Sequence, residues 1–354
     1  MNANTTMPDY SHERVVIATG DRSGLTITVA LHSSVLGSAL GGCRVWQYDD
    51  WSQASADALR LSAAMTRKNS VAGLDAGGGK SVIMVPRGER LDGERRRAAL
   101  LDLGDVVEML GGRYRTAEDV GTTEHDMLVV RERTEHVVGL PADTGGAGEP
   151  AGGTALGVFS SIKPTLREAF GDDAIAGRHF VISGLGQVGS RLARLIANAG
   201  GTLSITDIAP AKRSLAAELG AQWIDPDAAL VTQGDVFVPA GLGGVLTAET
   251  IRSLPVRAVV GPANNPLGRA SDADLLAERG IVYAPDFVVN AGGVIHLEGV
   301  GKGLTEHEIE ERLLAVGHTL ERVYATARER EITPLAAAEA LAWERIERAK
   351  SDIA

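Results

Sequence analysis

Lys68 and Lys80 are the residues of this chain whose type and setting most plainly could do chemistry. The first lies in Arg67-Lys68-Asn69. The second follows Gly77-Gly78-Gly79 and leads into Ser81-Val82-Ile83-Met84-Val85. A lysine that leaves a glycine turn for an apolar strand is poorly solvated at the mouth of a sheet. Poor solvation disfavours the ammonium and lowers its pKa toward a catalytic value. A second lysine nearby lowers it further by like-charge repulsion and can itself hold a carboxylate. The pair reads as a site for a small anionic substrate with an acid–base step. The bland alternative is a solvated lysine on a glycine turn. The run is not a triphosphate-binding loop. That motif needs glycine where Leu74 stands and must open a helix, whereas Pro86 here ends a strand.

A second signature lies further on. His179-Phe180-Val181-Ile182-Ser183 reads as a buried strand and runs into Gly184-Leu185-Gly186-Gln187-Val188-Gly189. A helix follows, with Val188, Leu192, Leu195 and Ile196 on one face. This is G-x-G-x-x-G between strand and helix, the setting in which it binds a dinucleotide. Gly184 permits the turn, Gly186 lets a pyrophosphate approach the helix N-terminus, and Gly189 lets helix and strand pack closely. A second strand, Thr202 to Thr206, ends at Asp207, about 20 residues past the first glycine. A carboxylate there binds the adenosine ribose of NAD and repels the 2′-phosphate of NADP. Lys212 and Arg213 temper that preference.

The elements that must position these groups fall into two regions. A chain of 354 residues suits two domains. Val15 to Thr19 and Leu25 to Leu31 read as a hairpin about Asp21-Arg22-Ser23-Gly24. Ala54 to Lys68 has helical spacing and delivers Lys68 near its end, and Glu94 to Leu110 reads as another helix. Thr144 to Thr154 is dense in glycine and is the candidate hinge. Strand candidates then alternate with helices: His179 to Ser183, Thr202 to Thr206, Asp235 to Pro239, Ala258 to Val260 and Ile281 to Ala284. That alternation predicts a parallel, doubly wound sheet. Glu306 to Arg330 reads as a long amphipathic helix that could return to the first domain, and Pro334 to Lys350 as a final helix.

In order along the chain stand Leu40-Gly41-Gly42-Cys43-Arg44, Met65-Thr66-Arg67-Lys68-Asn69, Gly77-Gly78-Gly79-Lys80, Thr116-Ala117-Glu118-Asp119-Val120-Gly121, Gly261-Pro262-Ala263-Asn264-Asn265 and Ala284-Pro285-Asp286-Phe287-Val288-Val289-Asn290-Ala291-Gly292-Gly293. Together they resemble the glutamate/leucine/phenylalanine/valine dehydrogenases, in the shorter branch that acts on leucine, valine or phenylalanine. The resemblance runs from about residue 14 to the C-terminal helices. It implies an α/β fold of two domains separated by a cleft. An N-terminal α/β domain for substrate and oligomerisation would span 1–146, with helix 331–354 returning to it. A Rossmann, doubly wound NAD-binding domain would span 147–330. The implied reaction is reversible: L-amino acid, water and NAD⁺ give 2-oxo acid, ammonium and NADH. By the same resemblance Lys68 binds the substrate carboxylate, and Lys80 polarises the carbonyl or activates water. Asp119 shuttles protons, and the Gly41-Gly42 backbone lines the site. Asn264 bonds the substrate or nicotinamide region, and Asn290 and Thr154 position the nicotinamide. Leu40, Ala117 and Val294 line the side-chain pocket. Two departures are Cys43, where several relatives carry threonine, and Pro262, in place of a small residue. Neither removes a functional group.

Taken alone, Asp119 could be an ordinary turn or capping aspartate. Hydroxyacid dehydrogenases share the dinucleotide signature, but they pair a histidine with an arginine for an alcohol. A non-catalytic NAD sensor would give no reason for Lys68, Lys80 and Asp119 to stand together. The pocket positions carry no charge, so glutamate is not expected, and the resemblance to leucine- and valine-preferring members at Ala117 and Val294 implies leucine, isoleucine or valine as substrate. Phenylalanine is the alternative, since Ile295-His296-Leu297 resembles some phenylalanine-type members. A net charge of −11 with no basic stripe argues against nucleic acid and anionic membranes. No run is long and apolar enough to span a membrane. Met1 to Glu13 is polar and does not read as a signal peptide. The single cysteine, Cys43, fits a reducing cytoplasm. No metal is expected, since His125, His136 and His296 are isolated. The family implies a homo-oligomer.

Overall fold

The structure, a computed structural model, describes residues 11–353. The reading of Met1 to Glu13 falls, over residues 1–10, outside the described residues, as does residue 354 of the C-terminal helix. The chain forms two compact units. The first takes in the described residues to Glu149, Val300–Gly303 and the chain from Ala342 on; the second takes in Pro150–Gly299 and Leu304–Leu341.

In the first unit β1 (Arg14–Thr19) and β2 (Thr26–Ser33) form the expected antiparallel hairpin. Then come β3 (Ala39–Tyr48), α1 (Trp51–Val71), β4 (Gly77–Pro86), α2 (Gly93–Glu108), β5 (Tyr114–Glu118) and α3 (Glu124–Arg131). The sheet order is β1-β2-β4-β3-β5, antiparallel on the hairpin side and parallel from β4 to β5. One face packs Ala30 and Val82 against Ala54, Ala58 and Leu59 of α1. The other packs residues such as Ile27, Ile83 and Tyr114 against Leu100, Leu103 and Met127 of α2 and α3. Asp50 caps α1, accepting from the Ser52 and Gln53 N–H groups.

Two expectations are corrected here. Gly77–Gly79 is not a turn; all three glycines lie within β4, hydrogen-bonded between β2 and β3. Glycine is needed because α1 comes so close: a Cβ on Gly78 would lie 2.1 Å from the Thr66 backbone nitrogen. The central strand β3 was also not anticipated, because Gly41-Gly42 interrupts its apolar pattern.

The second unit opens with α4 (Ala151–Phe170), which ends the glycine-dense stretch at Pro150. It continues through β6 (His179–Ser183), α5 (Gln187–Asn198), β7 (Thr202–Thr206), α6 (Arg213–Leu219) and β8 (Gln222–Trp223). It goes on through β9 (Val236–Pro239), α7 (Ala248–Ser253), β10 (Ala258–Val259), α8 (Asp272–Glu278) and β11 (Val282–Tyr283). Helices α9 (Asp286–Val289), α10 (Gly292–Gly301) and α11 (Glu306–Arg330) follow, and α12 (Pro334–Ile353) starts in this unit and from Ala342 on belongs to the first. The strands form one parallel sheet in the order β11-β10-β9-β6-β7-β8. This is the doubly wound order, with its switch point between β6 and β9. Helix α11 belongs to this unit and does not return to the first. Its apolar side seats on α4, where Tyr324 Oη and Thr165 Oγ1 lie 3.1 Å apart.

Candidate active site

In the first unit, sheet register gathers the candidate groups. Leu40 pairs with Gly78 and Cys43 with Ser81, so Gly42 lies opposite Lys80; on its other side Gly42 pairs with Ala117. Lys80, Gly42 and Ala117 thus form one row across β4, β3 and β5. Side chains alternate between faces. Leu40, Gly42, Lys80, Ala117 and, just past β5, Asp119 therefore share the α1 face. Helix α1 carries Lys68 in its last turn. Asn69 Nδ2 in the same turn donates to Leu40 O at 3.2 Å and Gly77 O at 2.6 Å, tying the helix to both strands. Gly41 O accepts from Tyr114 Oη at 2.7 Å. Gly42 leaves the room that Asp119 occupies: a Cβ there would come within 2.8 Å of the Asp119 Cβ.

Lys80 Nζ lies 2.9 Å from Asp119 Oδ2. The lysine is 4% exposed. Burial pulls its pKa below the ordinary lysine value, and Asp119, which raises it, does not restore it. The like charge that helps depress it is that of Arg44, which replaces the lysine–lysine repulsion expected from sequence. Burial pushes the Asp119 carboxyl up, but Lys80 and Arg44 together outweigh that and hold it below the usual aspartate value. Arg44 Nε reaches the same Oδ2 at 3.1 Å. Asp119 is not a helix cap; Thr123 caps α3. Its loop is pinned by Thr122, whose Oγ1 accepts from Asp119 N at 2.9 Å and donates to Cys43 O at 2.9 Å. Cys43 is buried and its thiol is pushed up to about 12, so it is no nucleophile at neutral pH. Sequence reasoning gave no role to Arg44 or Asn69, although both lie in the motifs it singled out.

In the second unit the Gly184–Gly189 turn sits at the switch point. Gly184 has φ +109° and packs so closely on the Ala240-Gly241 backbone that a Cβ would lie 2.5 Å from Gly241 N. Gly189 lets α5 rest on Gly184, where a Cβ would meet Gly184 O at 2.2 Å. Gly186 is the N-cap of α5 and receives no side-chain cap, and a Cβ there would meet nothing within 4 Å. Gln187 and Val188 begin the helix. An open position at an uncapped helix N-terminus suits a pyrophosphate. Asp207 follows β7; its Oδ2 accepts from Leu185 N at 2.6 Å and its Oδ1 from Ala209 N at 2.8 Å. The carboxylate is thereby fixed beside the glycine turn. Arg213 lies over the Trp223 ring, 5.6 Å from its centroid.

Asn290 Nδ2 donates to Asn264 Oδ1 at 2.9 Å and to Pro262 O at 3.2 Å. Asn265 is left-handed at φ 50°, and its N–H is held by Asp286 Oδ2 at 2.8 Å. Thr154 lies in the first turn of α4, where a Cβ on Gly293 would meet its Oγ1 at 2.8 Å. Val294, the next residue in the first turn of α10, is buried. The second unit therefore brings Asn264 and Asn290 together, and Thr154 up to the start of α10. Among the described residues no cluster of three or more His, Cys, Asp or Glu could hold a metal ion, and no helix is long and apolar enough to cross a membrane.

Residues 12–136 match the profile of the Glu/Leu/Phe/Val dehydrogenase, dimerisation domain, and residues 204–353 that of the Glutamate/Leucine/Phenylalanine/Valine dehydrogenase. The chain is 38% identical over 343 residues to a leucine dehydrogenase from Geobacillus stearothermophilus, covering 96% of this chain and 92% of that one. It is 39% identical over 295 residues to a phenylalanine dehydrogenase from Lysinibacillus sphaericus, covering 81% and 76%. Its fold is similar to a crystal structure of an L-tryptophan dehydrogenase from Nostoc punctiforme, with a TM-score of 0.84 and 32% identity over 96% of this chain and 97% of that one.

Proposed function

This chain belongs to the glutamate/leucine/phenylalanine/valine dehydrogenase family and is an amino acid dehydrogenase, and we propose that it uses NAD to deaminate apolar L-amino acids, leucine, isoleucine and valine first. The observation that carries this reading is the buried Lys80–Asp119 pair, 2.9 Å apart beside Gly42. We assign the first unit to the amino acid and to self-association, since the profile matched there is that of a dimerisation domain. The second unit is assigned to the dinucleotide. The single, buried, unreactive Cys43 suits a reducing cytoplasm.

Bound NAD⁺ supplies the acceptor for the hydride from the amino acid's α-carbon. Everything else falls to the chain's own residues. Lys68 holds the substrate carboxylate. Asp119, ionised at neutral pH, takes the proton that the substrate ammonium must lose before oxidation. Water then adds to the substrate iminium and gives a proton to Lys80, whose lowered pKa makes the neutral amine accessible. The Lys80 ammonium so formed stabilises the carbinolamine oxygen. Asp119 returns its proton to the amino group. As the C–N bond breaks and the C=O forms, the carbinolamine hydroxyl proton passes to the departing ammonia, leaving the 2-oxo acid and ammonium, and Lys80 releases its proton to solvent. Asn264, Asn290 and Thr154 orient the substrate and nicotinamide ends of the second unit's site, and Gly184, Gly186, Gly189 and Asp207 hold the pyrophosphate and ribose.

Two results follow. The wild type should use NAD⁺ in preference to NADP⁺, because Asp207 is fixed beside the glycine turn while Arg213 is engaged by Trp223. Asp207→Ser should cut kcat/KM for NAD⁺ by about tenfold, roughly 1.4 kcal/mol, and narrow the gap to NADP⁺. Equal wild-type use of both cofactors would contradict the assignment. In the pocket, Ala117 sits beside Gly42 and two residues before Asp119. Ala117→Gly should shift preference toward phenylalanine, by the weak factors that apolar pockets allow, about 1–3 kcal/mol per methylene-sized change. A kcat/KM panel over L-amino acids tests the substrate reading. A wild type favouring phenylalanine by more than about tenfold would replace the branched-chain assignment with the phenylalanine one.

A further inference from the structure

Asp119 receives two cations on one oxygen. Lys80 Nζ at 2.9 Å and Arg44 Nε at 3.1 Å both reach Oδ2. Arg44 is itself held from behind. Its Nη1 donates to Asp57 Oδ2 at 3.0 Å; that oxygen also accepts from Tyr48 Oη at 2.8 Å, and Asp57 Oδ1 accepts from Arg60 Nη2 at 2.7 Å. The Arg44 and Asp57 side chains are only 21% and 17% exposed, so water screens this pair less than a surface pair. A chain of alternating charge thus runs from Lys80 on β4, through Asp119 and Arg44, to Asp57 and Arg60 on α1.

We propose that Arg44 is a positioning residue for deamination: it shares Asp119 Oδ2 with Lys80, so that Oδ1 is the oxygen that takes and returns the substrate's proton. The proposal rests on the reading of Asp119 as the proton carrier. An oxygen already accepting from two cations is a poor site for a further proton, while the other oxygen of the same carboxylate stays available. The Asp57–Tyr48–Arg60 cluster fixes the guanidinium fork, and the fork fixes rotation of the carboxylate. Close enough to interact electrostatically with Asp119 are Lys80 from β4, Arg44 and Cys43 from β3, and Glu118 and Tyr114 from β5. Asp57 and Arg60 of α1 stand behind Arg44, and the last turn of α1 carries Lys68. Burial keeps Cys43 and Tyr114 neutral. Lys80 and Arg44 act on Asp119 against Glu118, and Asp57 acts on it through Arg44.

Arg44→Gln keeps a donor and removes the charge. Deamination needs Asp119 ionised and Lys80 neutral, so activity falls as pH drops through their pKa values, both of which Arg44 holds down. Without Arg44 both rise, and the acid limb of kcat/KM for the amino acid should move up by about one pH unit. Activity should recover at alkaline pH with amino acid KM within about threefold of wild type. Arg44→Lys, which restores the charge, should return the limb most of the way. Asp57→Asn should move the limb the other way, because it removes a negative neighbour, and it keeps the proposal testable if Arg44→Gln does not fold. A limb unmoved in these variants, with kcat lowered evenly at all pH, would reduce Arg44 to scaffolding. Carboxyl ¹³C titration of aspartate-labelled protein, with the Asp119 signal identified by its loss in Asp119→Asn, reads the same pKa without turnover. If that signal shifts in Arg44→Gln but oxidation proves independent of Asp119, the functional reading fails alone. A signal that does not shift overturns the Arg44 assignment whatever the turnover.

Discussion

Asp119→Asn is expected to lower kcat by about 10²–10⁴-fold in both directions, the range for loss of a general acid–base group. Asparagine fits the same space beside Gly42 and can still accept from Lys80 and Arg44 through its carbonyl. It cannot take a proton. The amino acid would bind with its ammonium intact, and oxidation would wait on the rare neutral amine free in solution. Dinucleotide binding should be untouched, because Gly184, Gly186 and Asp207 belong to the other unit. The check is kcat for deamination and for reductive amination, beside a fluorescence titration with NADH. A folded variant within about tenfold of wild type would remove Asp119 from the mechanism.

Lys80→Ala should act on the same step by another route, with kcat down at least ~10²-fold. The change removes the base for water addition and the ammonium that stabilises the carbinolamine oxygen. It also takes the Lys80 cation from Asp119 while Arg44 stays, so the acid limb of the residual activity should rise. Lys68→Ala offers the contrast. A group that binds the carboxylate equally in ground and transition states changes amino acid KM far more than kcat. Loss of kcat in Lys68→Ala together with a raised amino acid KM and near-normal kcat in Lys80→Ala would interchange the two roles.

Much of this was legible in the sequence, for physical reasons that differ by element. The dinucleotide turn could be read because strand, glycines, helix and Asp207 follow one another locally, and each is needed at its position. Lys80 could be read because an apolar strand announces burial, although its glycines were misread as a turn. Their true cause is close packing, of α1 on Gly78, the Ser33 backbone on Gly77 and the Tyr114 ring on Gly79, contacts that local sequence does not reveal. Strand β3 was hidden because Gly41 and Gly42 break its pattern, and those same glycines are what a site beneath α1 requires. Arg44 could not be assigned because its partners Asp57 and Asp119 lie on different elements, and only the packing of α1 on the sheet and the β3–β5 register bring them together. Helix α11 showed its apolar stripe in sequence but not the surface that stripe would cover.

The most direct test of the account is stoichiometric. Purified enzyme with NAD⁺ and L-leucine should yield one NADH, one ammonium and one 2-oxo acid per turnover, and Asp119→Asn should lose all three products together. NADH formed without ammonium release, or no NADH from any apolar L-amino acid, would contradict it.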